Sequence, residues 1–124
     1  MATGIENLLV YRKSYELAVR IFEESKKFPM EEKYSLTDQI RRSSRAVCAN
    51  LAEAYRKRRY PSHFISKLTD ADMENTEIQV WLRFSLSFNY VSNDLYDELL
   101  NSSEEIGRLI DHMINHPEKY ARNW

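Results

Sequence analysis

The chain has 124 residues, 43% of them hydrophobic and 30% charged, with only two Gly and three Pro and a formal net charge of −1. That size suits one domain with one core, and the shortage of turn-formers and of alternating Val/Ile/Thr runs excludes a sheet protein in favour of long helices. No stretch approaches the ~18 consecutive apolar residues of a membrane span, and no basic-then-apolar leader opens the chain, so a cytoplasmic protein without membrane contact is expected.

The first predicted helix covers about residues 7–28, where Val10, Leu17, Ile21 and Phe28 recur at helical spacing and Pro29 stops the run. The second starts at Ser35, whose hydroxyl is placed to cap free N–H groups while Asp38, three residues on, reaches back. It continues to about Lys57 or Arg58. Pro61 suits the first turn of a third helix, where its missing N–H costs nothing. That helix carries Phe64, Leu68, Ala71, Ile78, Leu82 and Phe88 and fades near Asn89. Ser92 or Asn93 caps a fourth, in which Leu95, Leu99, Ile106, Ile110 and Met113 repeat close to a heptad seam. Pro117 ends it, leaving a short tail to Trp124. Four such helices with short loops predict a single all-α domain over residues 1–124, an antiparallel up-down-up-down four-helix bundle.

The near-zero net charge hides a division. Residues 1–36 balance six basic against six acidic side chains, residues 37–67 are net +6, and residues 68–124 are net −7. Such asymmetry marks either a nucleic-acid face or self-complementary association, or else basic and acidic helices that neutralise one another within the chain.

Turning about 100° per residue, the second helix sorts into three faces. Leu36, Ile40, Val47, Leu51 and Ala54 form the core stripe. Arg41, Arg45, Arg56 and Arg59 fall in an arc roughly opposite, and with Lys57 and Arg58 they are the candidate phosphate contacts, because the guanidinium fork matches phosphate oxygens. Tyr55 and Tyr60 lie close enough in sequence to stack on exposed bases. The plainer alternative is a solvated helix face. A third ridge holds Gln39, Arg42, Ala46, Asn50 and Glu53. Arg42 and Glu53 stand about 16 Å apart along the axis, too far to pair with each other. With the small Ala46 and Ala49 beside them, Gln39, Arg42, Asn50 and Glu53 suit a polar interface with another helix or another subunit.

Catalytic and metal signatures are weak. A di-iron bundle needs Glu-x-x-His on two helices, but Tyr60, Leu109 and Met113 precede His63, His112 and His116 by three. Asp70, Asp72, Glu74 and Glu77 form an acidic patch read as solvation or as partners for the arginines. The single Cys48 excludes an internal disulfide and a cysteine metal site, and no His is spaced to activate it. No Gly-rich phosphate loop or serine elbow is present. The expectation is a protein that is not an enzyme and carries no metal or cofactor.

Several blocks resemble a known family. Leu8, Val10 and Tyr11 are similar to its opening Leu-x-Val-aromatic, and Phe28-Pro29 with Tyr34-Ser35-Leu36 to its first turn. Gln39-Ile40-Arg41-Arg42 and Asn50-Leu51-Ala52-Glu53 resemble its Gln-x-Arg-Arg-Ala and Asn-Ile-Ala-Glu-Gly motifs, and Phe64, Leu68, Ala71 and Glu77 follow in register. The family is the four-helix-bundle group named after proteins encoded within intervening sequences of bacterial 23S ribosomal RNA genes, also called the S23 ribosomal protein family. Ser43 departs from its usual Ala, Ala54 from the Gly after Glu53, and Met73-Glu74 from a common Gly-Ser. The resemblance implies a ring-like homopentamer with no established enzymatic activity. It also implies kinship with the accessory protein of diversity-generating retroelements, which binds nucleic acid through a basic surface. Two functions are therefore carried forward. One is a homo-oligomer holding RNA or DNA backbone; the other is a protein–protein adaptor whose basic helix meets a neighbour's acidic one.

Overall fold

A computed structural model describes residues 4–120. A 3-10 turn at Gly4–Asn7 leads into α1 (Leu9–Ser25), a second at Met30–Glu32 into α2 (Leu36–Arg56), and then follow α3 (Pro61–Ser87), α4 (Asn93–Asn115) and a last 3-10 turn at Pro117–Lys119. The four helices run up, down, up and down as an antiparallel bundle, and α2 and α3 share the most extensive contact. No strand occurs among the described residues. The tail to Trp124 lies outside the described residues beyond Tyr120.

The core is the one the periodicity predicts. Leu36, Ile40, Val47, Leu51 and Ala54 of α2 are buried, facing Phe64, Leu68, Ala71, Ile78 and Leu82 of α3 and the Leu99–Met113 seam of α4. Burying side chains of this size stabilises by about 1.5–3 kcal/mol each for the larger ones, which dominates helix propensity. Ala54 is buried and helical, and α2 continues two residues past it.

Phe88 departs from the prediction: it is 49% exposed. The reason is the way α3 stops. Asn89 adopts a left-handed φ of 62°, the Tyr90 N–H donates to the Ser85 carbonyl at 2.8 Å, and the Asn89 N–H donates to Leu86 at 3.0 Å. This six-to-one, five-to-two closure is a Schellman ending, with Asn tolerating the left-handed position better than a branched residue. It leaves Phe88 on the outside, against Phe84 and Tyr90.

The start of α2 also differs. Ser35 has ψ −101°, and its hydroxyl makes no cap hydrogen bond to the helix. Outside the extended region, a cap side chain does not face the first free N–H groups. Glu32 supplies the acceptor instead: its Oε1 takes hydrogen bonds from Ser35 Oγ (2.6 Å) and the Leu36 N–H (3.3 Å), and its Oε2 takes one from Tyr90 Oη (2.9 Å). The Ser35 and Tyr90 hydrogen bonds hold its carboxyl below the ordinary range. The first helix ends earlier than predicted, at Ser25, because the N–H groups of residues 26–28 bond three residues back and tighten the chain before Pro29. Ser92 caps α4 as expected, accepting from the Leu95 N–H at 3.1 Å.

One buried polar clasp has no counterpart in the predicted core. Asn75 of α3 donates through Nδ2 to the Ser103 carbonyl of α4 and accepts from Ser103 Oγ, both at 2.9 Å, while Gln79 Nε2 donates to the same hydroxyl at 3.1 Å. Gly107 makes room for it, since a Cβ there would stand 3.3 Å from Asn75 Nδ2.

Candidate nucleic-acid interface

The two polar faces of α2 meet different fates. The Gln39–Glu53 ridge turns to α3 of the same chain. Arg42 Nη2 lies 3.3 Å from Glu77 Oε1 and 3.2 Å from Gln39 Oε1, and Lys67 Nζ lies 3.3 Å from Glu53. Arg42 and Glu53 are eleven residues apart on α2, while Glu77 and Lys67 are ten apart in the reverse order on α3. That reversed, matched spacing is what an antiparallel pair requires, and it was present in the sequence as an unused register signal. Asn50 lies half-buried on the same ridge. Ser43 is fully buried, donates to the Gln39 carbonyl and accepts from Trp81 Nε1 at 3.2 Å. The ridge thus organises a helix–helix contact within the chain.

Glu74 of α3 borders this contact. Its Oε1 is buried without a hydrogen-bond partner, and Arg42 Nη1 at 3.9 Å forms an ion pair with it that is too long for a hydrogen bond. Burial, and next the charge of Glu77, push its carboxyl above the ordinary 4.5. The folded chain therefore keeps a proton that the unfolded chain has released, so stability falls as the pH rises from 4.5 through the raised value. Glu74→Gln is expected to stabilise by about 1 kcal/mol at neutral pH, with the gain vanishing near pH ~4, as urea midpoints at the two pH values will show. An equal effect at both would refute the protonation account.

The arginine arc is divided. Arg41 is drawn into the fold: its Nε donates to Ser25 Oγ at 2.7 Å and its guanidinium lies 4.7 Å from the Phe22 ring centre. Arg45 stays exposed, 5.8 Å from the same ring, at the rim of an apolar groove lined by Tyr11, Tyr15, Val19, Phe22 and Cys48. Burial pushes the Cys48 thiol up to about 11, so it remains protonated near neutrality and is a poor nucleophile. At the far end, α2 stops at Arg56, and Lys57–Arg59 form the turn into α3. Arg59 is therefore off the helix and does not share the arc of Arg41 and Arg45.

This elbow concentrates the free charge. Arg56 and Arg59 are exposed and Lys57 half-buried, and none of the three forms an ion pair among the described residues. Arg58 stacks its guanidinium 3.6 Å from the Tyr55 ring centre and donates from Nε to the Tyr55 carbonyl at 2.8 Å. The acidic patch does not reach this end: Asp70 pairs with Lys67 at 3.5 Å, and Glu77 is engaged by Arg42. Among the described residues, no three His, Cys, Asp or Glu side chains converge as a metal site requires, and His112 and His116 form only a ring pair with centres 4.6 Å apart.

A family model described as 23S rRNA-intervening sequence protein matches residues 6–112. The chain belongs to this family. Among solved structures, a protein of unknown function from the S23 ribosomal protein family of Bacteroides thetaiotaomicron superimposes with a TM-score of 0.79 at 33% identity, over 86% of this chain and 96% of that one. No curated protein matches the chain. The aromatic and basic elbow at Tyr55–Tyr60 lies just beyond the Asn50–Glu53 block. No described helix is long and apolar enough to cross a membrane.

Proposed function

We propose that this chain is a non-enzymatic, homo-oligomeric bundle protein that holds RNA or DNA backbone through the basic end of α2, with Arg56, Lys57, Arg58 and Arg59 as the principal contacts and Arg45 as an outlying one. The observation that carries the reading is the elbow itself. Four consecutive cations cluster at one end of a molecule whose net charge is −1, and three of them have no ion-pair partner among the described residues. Like charges held this close repel one another unless an anion shares them, and polyphosphate is the anion whose spacing repeats. Assembly is supported by a second feature, the apolar stripe of Met73, Val80 and Phe84 on α3, continued by Phe88 at its C-cap, which is left exposed. The pentameric state follows the family resemblance.

Retention on a nucleic-acid matrix tests the main claim. With three to four phosphate contacts, affinity is expected to fall about 20- to 150-fold between roughly 50 and 200 mM salt. No retention at the lower salt would end the backbone-contact reading.

The adaptor reading keeps one specific support, the placement of Arg45 beside an apolar groove of the kind that protein partners fill. On that reading Arg45→Glu with Arg56→Glu dissolves the oligomer, whereas on the nucleic-acid reading light scattering gives an unchanged mass.

A further inference from the structure

The elbow carries more than charge, and its geometry selects among nucleic acids. We propose that the turn between α2 and α3 is a subsite for one unpaired nucleotide, with the Tyr60 ring receiving the base and Arg56 and Arg59 the phosphate. The inference rests on the nucleic-acid reading above and adds strand type to it.

Two tyrosines flank the turn, and the structure gives them different roles. Tyr55 is already engaged. Arg58 covers one face of its ring, and the backbone at Gly4 lies so close that a Cβ there would come within 2.9 Å of the ring edge. Its ring holds the Arg58 stem and, with the Arg58-to-carbonyl hydrogen bond, sets the shape of the turn. Tyr60 is open. It is 54% exposed, and its ring stands 5.9 Å from the exposed His63 ring at an interplanar angle of 45°. The hydrogen bonds of Tyr60 to the fold run through its backbone, whose N–H donates to the Lys57 carbonyl and whose carbonyl accepts the Phe64 N–H, both at 2.9 Å. An exposed tyrosine ring among four cations is the pairing that base-stacking platforms use, because any base offers a π face while the cations hold the adjoining phosphate.

The size of the site limits what enters. Tyr55, Arg56, Arg58, Arg59 and Tyr60 line a concavity of about 300 Å³. That is the small end of the ~300–1,000 Å³ range of ligand clefts, enough for one nucleotide and not for the width of a duplex. Paired bases also show only their edges in the grooves, with their faces stacked inside. A duplex therefore meets the arginines and leaves Tyr60 idle. A single strand engages both.

The test uses the full chain, a labelled twelve-nucleotide oligouridylate and a duplex RNA of the same length, compared by fluorescence anisotropy at low salt. Tyr60→Leu is expected to weaken single-strand binding roughly ten-fold while leaving the duplex unchanged, and Tyr60→Phe to retain wild-type binding. Unchanged single-strand affinity in Tyr60→Leu overturns the stacking subsite, and so does equal weakening on both probes. Absence of binding to either probe by the wild-type chain overturns the nucleic-acid reading itself. Because Tyr60 is exposed, an unaltered circular dichroism spectrum is expected, and it certifies each variant before binding is read.

Discussion

Replacing Arg56 and Arg59 together by Glu is expected to lower nucleic-acid affinity about 100-fold near physiological salt and to reduce the slope of log affinity against log salt by about two. The magnitude follows from what each exchange does. Two phosphate contacts are lost, so two fewer counterions are released, and two new negative charges stand against the backbone. Neither side chain has an ion-pair partner among the described residues, so the exchange breaks no bridge in the fold. Helical content and oligomer mass should stay as they are. Arg41→Gln is the informative comparison. That side chain holds Ser25 and Phe22 rather than solvent, so it is expected to lower stability and leave the salt slope alone. Equal slopes for the double reversal and the wild type would place the binding surface elsewhere.

The second large effect is on stability. Asn75→Ala is expected to destabilise by about 2–4 kcal/mol, or roughly 10 °C in the midpoint of thermal unfolding. Asn75 is 1% exposed, and both ends of its amide are satisfied by Ser103. Truncation leaves a cavity and strips the Ser103 hydroxyl of its best acceptor in a place water does not reach. Losing one partner of a buried hydrogen bond costs more than losing both. Asn75→Leu combined with Ser103→Ala should therefore recover much of the loss. Urea unfolding of the single and double variants measures this, and a loss below about 1 kcal/mol for Asn75→Ala would mean the clasp is dispensable.

How much of this was legible beforehand depends on the range of the interaction involved. The helix count and the α2 core stripe follow from a 3.6-residue period that each segment carries within itself. Phe88 fits that period too, yet a left-handed Asn89 ends the helix just beyond it and leaves it outside. Asn75 and Ser103 read as ordinary polar residues, because only the meeting of two helices shows that their polar groups answer each other. The ridge is intermediate. Its charges at matched, reversed spacings on α2 and α3 could have set the antiparallel register from the sequence.

By itself, the sequence determined four helices, the start of α3 at Pro61 and the cap of α4 at Ser92, the family, and the concentration of positive charge between residues 37 and 67. Tertiary structure alone decided which of those charges remain available. It turned Arg41 onto α1, set Arg42 against Glu77, laid Arg58 on Tyr55, and left Arg56, Lys57 and Arg59 without ion-pair partners among the described residues. The reason is geometric. A helix's own period says which side chains share a face, but the neighbour that face meets is set by the rotation and register of the packed helices.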